Sequence, residues 1–399
     1  MQLSSTDTGT KRPFEPISDK VGIYVCGVTP YDTTHVGHLF TFTSYDILVR
    51  LLRYLDYNVV YVQNITDVDD DMMRKARELG TTWDKLAEEQ VNQLQRDMHS
   101  LNIAMPTHFP KASEQVDIII QMVERLVSLG WAYASNGSVY YEVRKDPEFG
   151  PPSDLTSYEE MLALANERGN TPSDPNKRDP LDFVLWQQSL PDEPSWPSPW
   201  GPGRPGWHIE CSAMNYRYIG PTVDIHGGGY DLVFPHHPCE RVQTERFTGV
   251  RPFVRFWCHV GMVRLGGEKM SKSLGNLVLA QNLVKDWSSN AIRLALANHH
   301  YREAWDWEDA HLPTMQNIDA LIAAALKRQT FGTQSFNGKP FGAAVLAALE
   351  DDLDTPRAIH ALQRYAEAIC AASSDTNLKP AQADLCTLAS LLGLHYNDC

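Results

Sequence analysis

The sequence predicts an α/β protein with a doubly wound parallel sheet, followed by a bundle of helices. Apolar runs at 21–28 and 58–66 flank an amphipathic segment at 41–57, which is the strand–helix–strand order of a parallel unit. The order of strand, glycine turn and helix returns at 222–237. From Leu277 onward the pattern is helical without a strand-like run, which predicts a C-terminal bundle.

The elements between these segments follow the same periodicities. Helices are predicted at 82–101 and 112–130, with strands at 138–143 and 252–263. The stretch 145–206 is rich in Pro, Asp, Ser and Trp, which allows either a disordered linker or an ordered, loop-rich insertion. The four tryptophans from Trp186 to Trp207 favour the ordered insertion, because disordered segments are poor in aromatic residues. The resulting domain boundaries are 1–143 and 206–276 for the two halves of the α/β domain, 144–205 for the insertion and 277–399 for the bundle.

Composition and charge limit the class of protein. The chain has 399 residues, of which 43% are hydrophobic and 21% charged, as is usual for a soluble globular protein of two or three domains. There is no apolar run of about 18 residues and no apolar N-terminal core, so we expect a cytoplasmic protein without a membrane span. The net charge of −15 argues against a broad nucleic-acid-binding surface. Seven widely spaced cysteines without a CxxC motif predict free thiols, some of them metal ligands.

The first candidate site is VTPYDTTHVGH, residues 28–38, between the first strand and its helix. Ligands of open parallel sheets bind at the carboxyl ends of strands, and a helix N-terminus favours phosphate. His35 and His38 would donate hydrogen bonds to the phosphates of ATP, and Gly37 would leave room for the adenine. On its own, the motif is better explained as an ordinary helix-start loop with surface histidines.

The second candidate site is KMSKS, residues 269–273, in a polar loop flanked by glycines. Lys269 and Lys272 on such a loop suit transient neutralisation of triphosphate charge. A short basic loop alone is usually solvated surface. Together and in this order, HVGH and KMSKS resemble the two signatures of class I aminoacyl-tRNA synthetases. The resemblance implies a Rossmann-like catalytic domain that adenylates an amino acid.

The resemblance is closest to the cysteinyl-tRNA synthetase family and its relative, the cysteine ligase of mycothiol biosynthesis. The matching segments are YVCG (24–27), NITDVDD (64–70), KRDPLDFVLW (177–186), GRPGWHIECSAM (203–214), DIHGGGYDL (224–232), FPHH (234–237), GEKMSKSLGN (267–276) and HHYR (299–302).

The resemblance implies one zinc ion, with Cys26, Cys211, His236 and Glu240 as its ligands. The spacing of these residues is not a zinc motif in itself. His236 and Glu240 are four residues apart, so a helix would place both on one face. Cys239 is a nearby competitor for the role of ligand. A borderline-soft zinc ion would bind the thiolate of cysteine in preference to the hydroxyl of serine.

The resemblance also implies residues for each substrate. The cysteine-binding residues would be Cys26, Gly27, Thr29, Thr66, Trp207 and His208. The ATP-binding residues would be Thr34, His35, Gly37, His38, Gly227, Gly228, Asp231, Lys269, Met270, Ser271 and Lys272. Catalysis would rest on charge neutralisation, with Mg²⁺ bound to ATP, by His35, His38, Lys269 and Lys272. The simpler alternatives are that Trp207 belongs to the core and that the glycines only form a turn.

The two relatives differ in the acceptor of cysteine. The ligase transfers it to the amine of glucosaminyl-inositol, and the synthetase to tRNA(Cys). Only 126 residues follow Ser273, a short C-terminal part like that of the ligase. Pro30 and His38 match the pattern of the ligase in the first motif. The net negative charge of the chain favours a small acceptor. Glu240 and the segment 177–186 resemble the synthetase instead. We favour the small-amine ligase over a cysteine–tRNA ligase lacking part of its anticodon-binding region.

Two further points stay open in the sequence. A synthetase-like binding protein without catalysis is the alternative of another class, although such chains usually lose their nucleotide signatures. L-cysteine, ATP and the acceptor are the expected partners, without a membrane. The oligomeric state is undetermined, with a monomer as one option.

Overall fold

The computed structural model describes residues 1–31, 34–150, 157–270, 275–330, 332–397 and 399. Their strands are β1 (Gln2–Ser5), β2 (Thr10–Pro13), β3 (Lys20–Val28), β4 (Asn58–Ile65), β5 (Ala132–Ser135), β6 (Ser138–Tyr141), β7 (Phe183–Gln188), β8 (Gly203–Pro205), β9 (Val223–Gly229), β10 (Val254–Val260), β11 (Val263–Leu265), β12 (Glu268–Lys269), β13 (Trp305–Asp306), β14 (Gln334–Ser335) and β15 (Thr376–Asn377).

Helices lie between these strands and form most of the described chain after Leu277. They are α1 (Val36–Tyr54), α2 (Asp70–Leu79), α3 (Trp83–Ser100), α4 (Val116–Ser128), α5 (Tyr158–Asn166), α6 (Trp207–Tyr218), α7 (His236–Thr248), α8 (Ala280–Asp286), α9 (Ser289–Ala297), α10 (Leu312–Lys327), α11 (Lys339–Leu349), α12 (Thr355–Ala371) and α13 (Lys379–Leu391). Short 3₁₀ turns occur at Ala112–Glu114, Val143–Lys145, Tyr230–Val233 and Asp309–His311.

The central sheet is parallel and has the strand order β10–β9–β3–β4. From β3 the chain crosses through α1 to β4 on one side, and it later returns to β9 on the other side. The strand order therefore reverses between β3 and β9, which is where open α/β sheets bind ligands. The prediction of a doubly wound parallel sheet is confirmed.

The turn from β3 into α1 is tighter than the sequence pattern indicates. Helix α1 begins at Val36, five residues before the predicted start at 41, because His35 caps it. The Nδ1 atom of His35 accepts a hydrogen bond from the Gly37 backbone N–H at 3.0 Å. The N–H of Val36 donates to the Val278 carbonyl at 2.9 Å, which ties the helix start to the chain after the KMSKS loop.

The region predicted to be an ordered insertion contains regular structure. Strands β5 to β8 form a four-stranded antiparallel sheet. Helix α5 lies within the predicted loop-rich stretch, and the side chain of Trp186 is fully buried in β7. This sheet packs with α4, α6 and α7 around a second hydrophobic core, separate from the core that α1 shares with the C-terminal helices.

The C-terminal third is a helix bundle with small strand contributions. The prediction that it contains no strand is wrong in this detail, since β13 pairs with β11, and β14 pairs with β15. Each of β13, β14 and β15 has two residues, which is too short to leave a periodic pattern in the sequence. The bundle joins helix α1 through Arg293 of α9, which is fully buried and donates to Asp46 of α1 at 2.5 Å.

Two of the seven cysteines do not remain free thiols. Cys386 and Cys399 form a disulfide with their Cα atoms 5.7 Å apart, so the prediction of free thiols is wrong for this pair. The tail after α13 folds back onto the helix, and this proximity leaves no signature in the spacing. Cys26, Cys211, Cys239, Cys258 and Cys370 are free.

Within the described ranges, no helix is both long and apolar enough to cross a membrane.

Candidate functional site

The candidate site lies at the carboxyl ends of β3 and β9, where the strand order reverses. Cys26 and Gly27 directly precede the last residue of β3, and Gly228 lies beside them on β9. A Cβ atom on Gly228 would lie 3.3 Å from the Cβ of Cys26, and one on Gly27 would lie 1.7 Å from the Asn64 carbonyl oxygen. Because these positions lack side chains, the strands approach closely and leave the crevice open.

Four side chains that were predicted as metal ligands lie together at this edge. The donor atoms of Cys26, Cys211, His236 and Glu240 all lie within 4.8 Å of one another, and all four residues are buried. The Sγ of Cys26 is 3.8 Å from the Sγ of Cys211 and 3.4 Å from Glu240 Oε1. Glu240 Oε1 is 3.0 Å from His236 Nε2.

This donor set fits a zinc ion. Zinc bonds of about 2.0–2.3 Å in a tetrahedral site separate neighbouring donors by about 3.3–3.8 Å. Two of the distances given above fall in that range, and the His236–Glu240 contact is slightly shorter. Two thiols, one imidazole and one carboxylate are ligand types that zinc prefers in proteins. As predicted, α7 carries His236 and Glu240 one turn apart, whereas Cys239 is not part of this cluster.

Three histidines that were not predicted surround the cluster. His226 Nε2 lies 2.9 Å from Glu240 Oε2, and His237 Nε2 lies 3.5 Å from Cys26 Sγ. His237 Nδ1 in turn lies 2.6 Å from His259 Nε2. Cys26, His226, His237 and Glu240 form a second, overlapping set of donors. The segments DIHGG, FPHH and CHVG contain these histidines, but their spacing along the chain has no recognisable period.

Burial and neighbouring charges separate the pKa values within the cluster. Burial opposes the ionisation of Glu240, but His226 and His236 outweigh it and lower the pKa of Glu240 to about 2. Burial likewise opposes protonation of His236, and Glu240 raises its pKa to about 10. For Cys211, the hydrogen bond with Cys26 and the charge of His236 overcome burial and lower the pKa to about 6. Burial, followed by Cys211, raises the pKa of Cys26.

The predicted cysteine pocket borders this cluster. The ring of Trp207 stacks on that of His236 with centroids 4.5 Å apart, and His208 Nδ1 lies 2.8 Å from His236 Nδ1. On the β4 side, Asn64 accepts from the Gly27 N–H at 2.9 Å and donates to the Thr66 hydroxyl at 3.1 Å. The sequence prediction missed Asn64.

The remaining predicted residues of the pocket and of the nucleotide site lie close by. Thr29 directly follows β3. Thr34 accepts from the Ala280 N–H at 3.0 Å through its carbonyl group. Gly227 pairs with Cys258 in the sheet, and a Cβ atom there would overlap the Cys258 carbonyl oxygen. Asp231 lies in the turn after β9.

The two histidines of the HVGH motif form a pair at the start of α1. The rings of His35 and His38 lie 3.9 Å apart. Burial, with a smaller effect from the charge of Lys269, lowers the pKa of His35 to about 4, and burial also lowers the pKa of His38. Since Nδ1 of neutral His35 accepts from Gly37, its proton lies on Nε2, which is a donor.

The KMSKS segment is described only in part. Lys269 ends β12, close enough to His35 to affect its pKa. Met270, predicted to bind ATP, has its side chain buried in the main hydrophobic core. Ser271 and Lys272 lie outside the described residues, so their predicted roles stay predictions.

Comparisons with known proteins place the chain in a family. The family model "tRNA synthetases class I (C) catalytic domain" matches residues 13–317. An L-cysteine:1D-myo-inositol 2-amino-2-deoxy-alpha-D-glucopyranoside ligase of Thermomonospora curvata is 43% identical, covering 96% of this chain and 91% of the relative. A cysteine–tRNA ligase of Sodalis glossinidius is 40% identical, covering 99% of this chain and 86% of the relative.

Solved structures agree on the fold. The methionyl-tRNA synthetase of Mycobacterium tuberculosis with methionyl-adenylate aligns with a TM-score of 0.65 at 16% identity, over 94% of this chain and 88% of that one. At this identity the likeness concerns the fold alone. From the matched family model and the two relatives, the chain belongs to the family of class I (C) tRNA synthetase catalytic domains.

Proposed function

We propose that the protein activates L-cysteine with ATP to cysteinyl-adenylate and then transfers the cysteinyl group to the amine of glucosaminyl-inositol. The observation that carries the cysteine assignment is the buried donor set of Cys26, Cys211, His236 and Glu240 beside the HVGH turn. In this proposal the catalytic unit consists of residues 1–143 and 206–276. The insertion consists of residues 144–205, and the helix bundle consists of residues 277–399.

The proposed metal is zinc, held by the two thiols, His236 and Glu240. When bound, zinc supplies a borderline-soft cation that prefers a thiolate to a hydroxyl. The chain excludes water from this position, because all four donor residues are buried. Trp207 stacks on His236 and would limit the space around the side chain of the substrate to that of a small residue.

The adenylation step needs positioning and charge neutralisation. A carboxylate oxygen of cysteine attacks the α-phosphorus of ATP, and pyrophosphate leaves with the electron pair of the broken P–O bond. His35, neutral at pH 7, would donate from Nε2 to a phosphate oxygen, with His38 beside it. Lys269 would neutralise charge on the leaving pyrophosphate together with Mg²⁺ and the predicted Lys272.

The acceptor is proposed from the relatives and from the first motif. The Thermomonospora curvata relative is named as a ligase for cysteine and an amino sugar of inositol, at 43% identity. Pro30 and His38 in VTPYDTTHVGH favour the same acceptor. In the transfer, the amine nitrogen forms a C–N bond with the cysteinyl carbonyl carbon, the C–O bond to AMP breaks, and AMP leaves.

Cysteine–tRNA ligase is the second candidate function. The Sodalis glossinidius relative carries that name at 40% identity, and the Glu240 donor favours the same reading. A binding protein without catalysis is less well supported, since His35, His38 and Lys269 are gathered at one end of the sheet.

One experiment separates these functions. The zinc-loaded protein is given labelled cysteine and ATP together with either glucosaminyl-inositol or tRNA(Cys). We expect cysteine-dependent ATP–pyrophosphate exchange and label on glucosaminyl-inositol. Label on tRNA alone would assign the second function, and absence of exchange would exclude both enzymes.

A further inference from the structure

A polar cavity of about 430 Å³ lies between the insertion and the cysteine pocket. Asp69 lines it from the segment after β4, Asn170 and Lys177 from the loops after α5, and Gln187 from β7. Trp207, at the start of α6, forms the side nearest to the metal cluster. We call this space the insertion cavity.

The insertion cavity and the cysteine pocket share a wall. Trp207 and His208 line the cavity, and both are in contact with His236 of the donor cluster. The cavity therefore borders the proposed cysteine site directly, because Trp207 and His208 are lining residues of the cavity and predicted residues of that site. A second substrate in the cavity would reach the activated cysteine without crossing the core.

The three cations of the insertion cavity all have partners within the protein. The lining contains four carboxylates and three cations, namely Asp69, Asp70, Asp174, Glu193, Arg168, Lys177 and Arg204. Arg204 lies 2.6 Å from Asp70 and 3.3 Å from Glu193, and Lys177 donates to Asn170 at 2.6 Å. Arg168 donates to a main-chain carbonyl group. Since phosphate recognition uses available cations, this lining suits a ligand without phosphate.

Asp69 and Gln187 keep unused hydrogen-bonding capacity. Asp69 accepts from the Asp71 N–H at 2.8 Å through Oδ1, which leaves Oδ2 for a ligand. Burial raises the pKa of Asp69 to about 6, so the carboxylate is charged at neutral pH. The side-chain amide of Gln187 makes no hydrogen bond to another residue that the structure describes. The volume suits a ligand of disaccharide size, since small-molecule sites span about 300–1,000 Å³.

We propose that the insertion cavity binds the acceptor as a polyhydroxylated primary amine, with Asp69 at its ammonium group and Gln187 at its hydroxyl groups. This inference rests on the proposed function and names its second binding site. The ammonium group gives one proton to Asp69 before the attack. A second proton passes to solvent as the C–N bond forms and AMP leaves with the electron pair of the C–O bond.

The test uses the full-length, zinc-loaded protein and two activities. Cysteine-dependent ATP–pyrophosphate exchange reports the first step, and amide formation with glucosaminyl-inositol gives the KM of the amine. Asp69→Asn removes the charge but keeps the cap of α2, since Asn caps helices as well as Asp does. Gln187→Ala removes the amide. Asp71→Asn is the matched control, because that exposed carboxylate pairs with Arg74 on the surface.

We expect each cavity variant to raise the KM of the amine about tenfold, as loss of a hydrogen bond to a charged or polar group does, with exchange within about twofold of wild type. In Asp69→Asn the kcat of amide formation should fall as well, because an asparagine amide cannot accept the proton of the ammonium group. The control should change neither quantity. An unchanged amine KM in both variants, with amide still formed, would overturn this inference alone. A parallel loss of exchange would overturn it too, since the residues would then belong to the cysteine site. Exchange without amide in the wild-type protein would refute the proposed acceptor and this inference with it.

Discussion

Glu240 contacts three side chains in and around the donor cluster through its two carboxylate oxygens. Its Oε1 faces Cys26 and His236, while Oε2 lies 2.9 Å from His226. A carboxylate that is fully buried needs such partners, because an unpaired buried charge is strongly unfavourable. The same contacts hold both oxygens in place, which suits a metal ligand with a fixed orientation.

The metal assignment predicts that Cys211 and Cys239 behave differently. Both are buried thiols, but only Cys211 lies in the cluster. Cys211→Ser should lower zinc affinity by more than the roughly 10–100-fold that follows loss of a group orienting a ligand. The measurement is zinc per chain after dialysis, by atomic emission. Cys239→Ser is the control and should keep the zinc content of wild type. A full equivalent in Cys211→Ser would show that this residue is not a ligand.

At the scale of an element, the close packing of β3 against β4 near its end requires a glycine. Gly27 lies against the Asn64 backbone, and a Cβ atom there would be 1.7 Å from the Asn64 carbonyl oxygen. The backbone cannot rotate out of the way as a side chain can. Strand β3 or β4 would have to shift, and Cys26 and Thr66 would shift with them.

Gly27→Ala should therefore lower kcat/KM for cysteine in pyrophosphate exchange by about 100-fold, since displacing a site by about 1 Å has an effect of that size. Gly22→Ala is the matched control in the same strand. Its Cβ atom would lie 2.5 Å from Cγ2 of Ile219, a side chain that can change rotamer. Exchange in this control should stay within a few-fold of wild type. Equal activities of the two variants would contradict the argument.

Periodicity predicted the elements well and their ends less well. The amphipathic pattern placed α1, but its start depends on the His35 cap, which is a side-chain contact and not a period. The disulfide between Cys386 and Cys399 follows from the path of the tail, which the spacing does not encode.

The candidate site was predictable through resemblance rather than through spacing. Four donors from three distant segments meet only because β3 and β9 are neighbours in the sheet. The three neighbouring histidines were missed for the same reason, because their contacts exist only in the folded chain. His226 contacts Glu240, His237 contacts Cys26, and His259 contacts His237. Asn64 was missed because its role is to bridge two strands.

At the scale of the whole molecule, one buried ion pair joins the bundle to the catalytic unit. Arg293 of α9 donates to Asp46 of α1 and to the carbonyl groups of Leu101 and Leu392, at 2.9 Å in the last two cases. A single guanidinium group therefore connects α1, the segment after α3 and the end of α13. The bundle should unfold together with the catalytic unit.

Arg293→Met should lower the free energy of unfolding by about 3 kcal/mol, because removing one partner of a buried pair leaves the other charge poorly compensated. Arg50 stays beside Asp46 at 2.9 Å, so we expect the lower end of the usual effect. Urea unfolding followed by circular dichroism gives the value. In Arg217→Met, which breaks an exposed pair with Asp117, the loss should stay within about 1 kcal/mol. Similar losses in both variants would refute the role of Arg293.

The spread of the metal donors along the chain has a consequence for biosynthesis. Cys26 and Cys211 are 185 residues apart, and the last donor is Glu240. A nascent chain of some 200 residues contains only the first of the four, so it cannot hold a metal ion in this site. Metal loading would then follow synthesis of α7, and the ion would close a long loop between the two halves of the sheet. Supply of zinc would therefore act on the newly made protein only after α7 has been synthesised.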